Sequence, residues 1–430
     1  MKIPPVKGTR DFYPEDMAIH NWIVDGWKKV SIRNGFEEYD GPIFEYLQMY
    51  QTKSGDEIAE QLFSLKDRGD RDLAVRPEIT PTLARMVNQK INALPKPIKW
   101  FSVPRLCRAE RPQKGRLREF FQWNIDIIGE DSVLADAEVI FTTVDYLREI
   151  GLTPNDIKVK ISSRKLLAAV LKRIGVPEEK LNPLYTLLDK KSKLPAEAFS
   201  ATLKEQVGDK LAVQIIAFME KSFNDVLKST EINDEITTAL SELTNCLDLL
   251  NRMDIGEYCV FDQSIIRGLA YYTGIVFEVH DIRGELRAIC GGGRFDNLLH
   301  DFGGPKISAT GMGMGDCVLE ILLREKGLLD KNIPVKTLDY FVMPIADELL
   351  GEAVKLTMQL RTLGFKSTFS YKAASLSKQL KLASEQNAKY CIIIGDEFKA
   401  GDIVLKNMSS GQQKAVPVKD FLENPVKYNS

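Results

Sequence analysis

The sequence predicts an α+β protein: an antiparallel sheet core flanked by helices, broken by a helical insertion and followed by a small α/β domain. Three observations predict it. Residues 100–110 and 119–128 are rich in aromatic and branched side chains, with turn signals from Pro112 to Gly115 between them, the pattern of two antiparallel strands joined by a loop. From Arg164 to Arg252 the pattern changes to apolar repeats at helical spacing, as in KLLAAVLKRIG, before strands resume at EYCVFD. Beyond residue 337, segments such as LDYFVMPI and YCIIIGDE alternate with helical stretches, as in a small α/β domain. Single cores stop growing near ~250 to 300 residues, so a chain of 430 is expected to divide. The expected division is a core over 1–330 with its insertion at 164–252, a polar link at Lys331 to Thr337, and a second domain over 338–430.

Taken in order, residues 17–34 form an amphipathic helix, with Ile19, Ile23, Trp27 and Val30 on one face and Gly35 closing it. In EEYDGPIFEYLQMY, Pro42 cannot donate to a ladder, so the strand there is an edge or is broken. This helix and strand form a plausible dimer contact, and core packing explains them equally well. LAVRPEITPTLARMV reads as strand, turn and helix, with Thr80 and Pro81 at the N-cap and N1 positions. Residues 133–150 are helical and NDIKVKISS is a strand; after the insertion, strands run through RGLAYYTGIVFEVHD and LRAICGGGRFDNLL. A glycine-rich strand and a helix, ATGMGMGDCVLEILLREKGLL, complete the larger domain.

Composition narrows the function. Apolar residues make up 44% and charged residues 27%, close to a globular average, and no apolar run approaches the roughly 20 residues that span a bilayer. Residues 1–16 show no apolar signal core, so cytoplasmic residence is the expectation. Six scattered cysteines without a CxxC pair read as reduced core residues, and three distant histidines give no metal-ligand spacing, so no protein-held metal is expected. With 58 basic against 60 acidic residues the net charge is −2, so a nucleic-acid partner must be met by local patches.

The strongest chemical signal is RAERPQKGRLREFFQWNID, residues 108–126. Residues two apart on a strand share a face, which sets Arg108 beside Glu110 and lines up Gln122, Asn124 and Asp126. The loop between carries Arg111, Lys114, Arg116 and Arg118, a combination suited to polyphosphate. A charged hairpin alone is more often a solvated surface; three further clusters change that reading. RGLAYYTG, residues 267–274, offers a guanidinium and two phenols at a strand entrance, where they can clamp a phosphate or carboxylate and orient a polar ring. GGGRFD, residues 291–296, implies close approach of backbone or ligand. GMGMG, residues 311–315, lacks the GxGxxG spacing of a dinucleotide fold and reads instead as a strand passing under a flat ligand, or as close helix–strand packing.

Together these segments resemble the class II aminoacyl-tRNA synthetases, and within them the histidyl-tRNA synthetase family. The hairpin is similar to that family's motif 2, RGLAYYTG to its RGLDYY signature, GGGRFDNLL to its second signature and VRPEITP to its amino-acid-binding turn, all in the family's order. The resemblance implies a class II catalytic core, an anticodon-binding C-terminal domain, a homodimer, and the substrates L-histidine, ATP with Mg2+ on its phosphates, and tRNA(His). It also implies roles. Glu78, Thr80 and Gln122 hold the α-ammonium of histidine; Asp126, Tyr271 and Tyr272 recognise its imidazole. Arg108 grips the α-phosphate, Glu110 lies near the adenine amino group, Arg116 meets the distal phosphates, and Arg267 stabilises charge as the carboxylate attacks. Gln113 and Lys114 touch the acceptor end of the tRNA. In the C-terminal domain Lys366, Lys372, Lys378, Lys381 and Lys389 outnumber Glu385, with Leu376, Leu380 and Ala383 expected to face inward.

Three departures mark a divergent branch. The family's third motif ends in a Glu-Arg pair, whereas here Asp316, Cys317 and Val318 follow the glycines; Phe295 replaces a tyrosine, and Ala270 an aspartate. The main rival is a non-catalytic paralogue that binds histidine as regulatory subunit of ATP phosphoribosyltransferase. A class II synthetase for threonine, proline or glycine would leave RGLAYYTG unexplained.

Overall fold

In the computed structural model, which describes residues 3–51, 62–191, 194–228, 233–267, 271–333 and 336–428, helix α1 (Pro14–Arg33) begins three residues before the apolar repeat. Pro14 accounts for the early start, since its missing donor costs nothing in a first turn. Strands β1 (Glu37–Glu38) and β2 (Phe44–Tyr46) lie either side of Pro42 and join different sheets. After α2 (Leu47–Gln51), strands β3 (Phe63–Lys66) and β4 (Asp72–Val75) complete a three-stranded sheet in the order β2-β4-β3. Helix α3 (Thr80–Lys90) starts at Thr80 itself, so that Thr80 is its first residue and not its cap; Ile79, just before it, already has near-helical angles and makes no side-chain cap.

The hairpin differs from expectation in its first half. Strands β5 (Ile98–Ser102) and β6 (Arg105–Cys107) replace one continuous strand, and both pair antiparallel with β7 (Glu119–Ile128). Pro104, which cannot donate to a ladder, stands in the break. Arg108 and Glu110 therefore lie beyond the end of β6 and not on a regular ladder. Next come α4 (Val133–Glu149), β8 (Ile157–Ser163) and the helices α5 (Arg164–Arg173), α6 (Leu181–Asp189), α7 (Ala196–Val207), α8 (Asp209–Met219), α9 (Phe223–Leu227) and α10 (Asp234–Arg252). Strands β9 (Cys259–Phe261), β10 (Ile275–Asp281) and β11 (Cys290–Phe295), helix α11 (Leu298–Asp301), strand β12 (Ala309–Gly315) and helices α12 (Asp316–Glu325) and α13 (Leu329–Asn332) close the unit that ends at residue 333.

Its main sheet runs β1-β5-β7-β12-β11-β10-β8-β9 with β6 alongside β7, antiparallel except at the outer pairs β1–β5 and β8–β9. Alternation along β7 sorts its two faces. Trp123, Ile125 and Ile127 enter the large core with Trp27 of α1 and Tyr146 of α4, where Trp123 donates to Ser31 at 2.8 Å. Gln122, Asn124 and Asp126 point the other way. Buried residues of α5 to α10, among them Leu166, Leu188 and Leu240, belong to the same continuous core as the sheet. Arg294 of β11 also serves the fold, gripping buried Asp136 of α4 with Nε at 2.9 Å and Nη2 at 2.7 Å.

The second unit is a five-stranded sheet: β13 (Leu338–Pro344), β14 (Ser367–Phe369), β15 (Ala388–Ile394), β16 (Asp402–Asn407) and β17 (Gln413–Pro417), ordered β14-β13-β15-β16-β17. β13 is parallel to both neighbours, and the remaining pairs are antiparallel. Helices α14 (Leu350–Thr362) and α16 (Val418–Glu423) cover the face carrying Tyr340 and Val342, and α15 (Leu376–Glu385) covers Phe341 and Met343. On α15 Ala383 is buried and Leu380 packs against the core as expected, but Leu376 is 41% exposed and Gln379 is buried in its stead. Gln379 wins the inward place by donating to the carbonyls of Pro344 at 2.9 Å and Ala374 at 2.8 Å. All five lysines of this stretch are exposed, Lys389 pairing with Asp339 at 2.9 Å.

Candidate active site

One cavity opens on the face of the main sheet opposite α1 and α4. Of the residues singled out from sequence, it is lined by Glu78, Thr80, Arg108, Gln122, Asp126, Arg267, Tyr271 and Tyr272. β7 supplies Gln122 and Asp126 by strand alternation, and the turn before α3 supplies Glu78 and Thr80. That turn is fixed by buried Arg76, which donates to Asp40 at 2.6 Å and to the carbonyls of Gly41 at 2.8 Å and Arg105 at 3.2 Å. Phe295 closes the far side, its ring edge-on to Tyr271 at 5.8 Å, and Asn124 and Met312 add to the floor.

The glycine clusters have a specific job here. A Cβ on Gly311 would stand 2.0 Å from Oδ1 of Asp126, one on Gly313 would stand 3.0 Å from the Gln122 amide, and one on Gly291 would stand 2.5 Å from Nη1 of Arg267. Each glycine of β11 or β12 that faces the cavity thus vacates the space of one polar side chain from a neighbouring element. Gly291, Gly311 and Gly313 also line the cavity itself.

Burial sets the charge states. Asp126 is 3% exposed, its Oδ2 has no hydrogen-bond partner, and burial pushes its carboxyl up to about 8. Such an atom calls for a donor from a ligand. Arg267 reaches Glu278 at 2.9 Å and the Tyr272 hydroxyl at 3.5 Å, while its buried Nε has no partner. Burial alone would lower its pKa; Tyr272 and Glu278 outweigh that and the group is raised, so it stays a cation. Burial opposes ionisation of Glu278 as well, yet His280 at 2.9 Å and Arg267 bring it down to about 2. Arg108 donates to the carbonyl of Pro77 at 3.0 Å and lies over Phe120 at 5.1 Å, with burial lowering its pKa. Two guanidiniums and two carboxylates therefore converge on one small space, together with the phenols of Tyr271 and Tyr272.

The basic loop stands apart from that cavity. Glu110 and Arg116 form an ion pair with each other, and neither lines the cavity. Gln113 and Arg116 exchange backbone hydrogen bonds at 3.0 and 2.9 Å around a turn in which Gly115 has φ +74°, where a side chain would be strained. Lys114 pairs with Glu325 of α12 at 3.2 Å, and the space beside Gly115 is taken by Val318. Val318, one of the three residues that follow the glycines where the family carries its Glu-Arg pair, thus packs under the loop. Asp316 turns away: it accepts from the Phe121 amide at 3.0 Å and is ion-paired with Arg10.

Glu278 was missed by sequence reasoning, although a carboxylate inside the otherwise apolar stretch IVFEV, on the same face as Val276, is a readable signal. Ala270 lies outside the described residues. Among those residues no group of three or more His, Cys, Asp or Glu is arranged to hold a metal, and no helix is long and apolar enough to cross a membrane.

Comparison with known proteins adds an independent line. A family model described as histidyl-tRNA synthetase matches residues 8–315, and one described as anticodon binding domain matches residues 339–427. The chain is 39% identical over 426 residues to a chloroplastic/mitochondrial histidine–tRNA ligase of Arabidopsis thaliana, covering 97% of this chain and 86% of that one. It is 37% identical to the histidine–tRNA ligase of Opitutus terrae, with 95% of each chain covered. Among solved structures, a histidyl-tRNA synthetase from Nostoc superposes with a TM-score of 0.79 at 24% identity over the whole of both chains. An ATP phosphoribosyltransferase regulatory subunit/histidyl-tRNA synthetase from Bacillus halodurans shares the fold with a TM-score of 0.74 at 23% identity, over 91% of this chain and 99% of that one.

Proposed function

The chain belongs to the histidyl-tRNA synthetase family, and from that membership we propose that its cavity joins L-histidine to ATP and passes the histidine to tRNA(His). The observation that carries this reading is the convergence of Arg108, Arg267, Asp126, Gln122, Glu78 and Tyr272 on one space. The histidine α-ammonium sits by Glu78, Thr80 and Gln122. Its imidazole lies between Asp126 and Tyr272, with Tyr271 behind, so that one ring nitrogen meets the carboxyl and the other the phenol. Arg108 and Arg267 flank the α-phosphate. A carboxylate oxygen of histidine attacks the α-phosphorus, the bond to the β-phosphate oxygen breaks, and pyrophosphate leaves with its electron pair. Fixed cations on both sides stabilise the charge of that transition state, and no protein nucleophile is required. In the second step a terminal ribose hydroxyl of the tRNA attacks the mixed anhydride and AMP departs. Mg2+ enters as part of the ATP substrate. The cavity's own carboxylates are engaged by the amino acid, and Glu110 and Arg116 become available to the nucleotide when their mutual pair opens. Gln113 and Lys114, exposed on the loop, meet the acceptor end in this reading, and the lysines of the second unit meet the anticodon.

The test is exchange of labelled pyrophosphate into ATP. Histidine should support it and should then appear on tRNA, while tight histidine binding without exchange would mean the non-catalytic paralogue. Asp126 adds a pH signature. With its carboxyl at about 8 in the free protein and free imidazole near ~6.5, one proton is already present in the pair between those values and binding is flat. Above about 8 the free carboxyl is ionised, a proton must be taken up, and affinity should fall roughly tenfold per pH unit. Below about 6.5 a proton must be released, and affinity should fall again. Asp126→Asn should remove the carboxyl's share of the alkaline limb; titrating histidine by calorimetry from pH 6 to 9 reads it, and an unchanged limb would contradict the assignment.

A homodimer is part of the same proposal. Phe44, Tyr46 and Leu65 on the small sheet, with Ile43 just before it, are between 40% and 58% exposed, a surface that a second copy would cover. Light scattering should give twice the 48.5 kDa of one chain; a monomer mass would refute it. All six cysteines are free, which supports a reducing compartment such as the cytoplasm.

A further inference from the structure

Arg164, the first residue of α5, is 4% exposed. Its guanidinium donates to the carbonyl oxygens of Ile266 and Arg267, both at 3.3 Å, and its backbone amide donates to the carbonyl of Gly274 at 2.9 Å. One residue thereby holds both ends of the segment that carries Arg267, Tyr271 and Tyr272. The same guanidinium lies 3.6 Å over the ring of Tyr185, in α6.

Two physical costs show that this is no ordinary core position. The positive end of a helix dipole disfavours a cation, and burial brings the Arg164 guanidinium down to about 10. An apolar residue would fill the space without either cost. What an apolar residue would not supply is a donor to the two carbonyls, and one of these belongs to a strained residue. Arg267 has φ +59°, in the left-handed region that residues other than glycine rarely occupy. Such a conformation persists only where surrounding contacts over-determine it. Glu278 fixes the side chain of Arg267, and Arg164 fixes its backbone.

We propose that Arg164 is a positioning residue for Arg267, and that its stack on Tyr185 ties the reacting phosphate's arginine to the helices of residues 164–252. The proposal rests on the reading of Arg267 as the residue that faces the α-phosphate. Displacement of α6 is then felt at Arg267 through a single guanidinium, although the two elements are far apart in sequence. Neither Arg164 nor Tyr185 lines the cavity, so their effect must be on the placement of Arg267 and not on contact with substrate.

The experiment is pyrophosphate exchange with Arg164→Met, Arg267→Ala and the double variant, with melting curves on each. Arg164→Met should lower kcat by about tenfold or more, because misplacement by about 1 Å is enough, and leave the histidine KM within about twofold. In the Arg267→Ala background the same change should cost less than about twofold, since the residue it positions is gone. A full additional loss in that background, or a loss confined to KM, would overturn the proposal. Retention of exchange by Arg267→Ala alone would instead overturn the reading of Arg267. If Arg164→Met does not fold, Tyr185→Leu leaves Arg164 in place and removes only the stack. A several-fold drop in kcat at constant KM is expected there, and unaltered kinetics would refute the tie to α6.

Discussion

Arg267→Ala is expected to lower kcat for histidine-dependent exchange by roughly 10² to 10³, with the histidine KM changed only a few-fold. The guanidinium is held by Glu278 at 2.9 Å and kept charged, it lines the cavity, and its buried Nε has no partner within the protein. Charge accumulates at the α-phosphate only as attack proceeds, so the contact strengthens between ground state and transition state and its loss falls on kcat. Steady-state exchange across a histidine titration separates the two parameters. Equal losses in both would make Arg267 a binding residue only.

Gly311→Ala should weaken histidine binding by about a hundredfold or more, equivalent to roughly 3 kcal/mol, while Gly315→Ala on the same strand should be silent. The added methyl at 311 would stand 2.0 Å from Oδ1 of Asp126 and 2.8 Å from the carbonyl oxygen of Ile125, whereas nothing lies within 4 Å of a Cβ at 315. Asp126 is 3% exposed where it lines the cavity and cannot turn away without losing its place there. Calorimetric titration of the pair, with melting curves to show that both fold, makes the comparison direct. A Gly311→Ala protein that folds and binds histidine normally would mean that Asp126 does not meet the imidazole.

The parts of the site that were readable in the sequence are those governed by short-range rules. Gln122, Asn124 and Asp126 follow one another at period two on β7, so their shared face could be read directly. The helices of residues 164–252 showed in their apolar spacing. The glycines of GGGRFD and GMGMG announced close approach but not its object, because the pairing of Gly311 with Asp126 depends on β12 lying beside β7 across a separation of 185 residues. Arg108 and Glu110 were assigned to a strand that Pro104 breaks, an outcome the proline itself signals. Arg164 gave no sign at all: a single arginine at the start of a helix reads as solvated, and only the fold brings it under Ile266 and Arg267. Arg116 was expected at distal phosphates and is paired with Glu110, a contact set by the tight turn at Gly115 that periodicity does not capture.

The missing arginine of the third motif has a local explanation in the same geometry. Val318 lies against Gly115 of the basic loop, and Asp316 is committed to Arg10 and to the amide of Phe121. In this chain the start of α12 is therefore bound to the N-terminal segment and the hairpin. An arginine at 318 would start from the place where Val318 packs beside Gly115. The cations that remain at the cavity are Arg108 and Arg267, and the proposed mechanism asks only for those two.

A crystal structure with a non-hydrolysable histidyl-adenylate analogue tests the whole assignment at once. The imidazole should lie within hydrogen-bond distance of both Asp126 and Tyr272, with the phosphate substitute between Arg108 and Arg267. An analogue bound with its imidazole away from Asp126, or with its phosphate substitute out of reach of Arg267, would contradict the account.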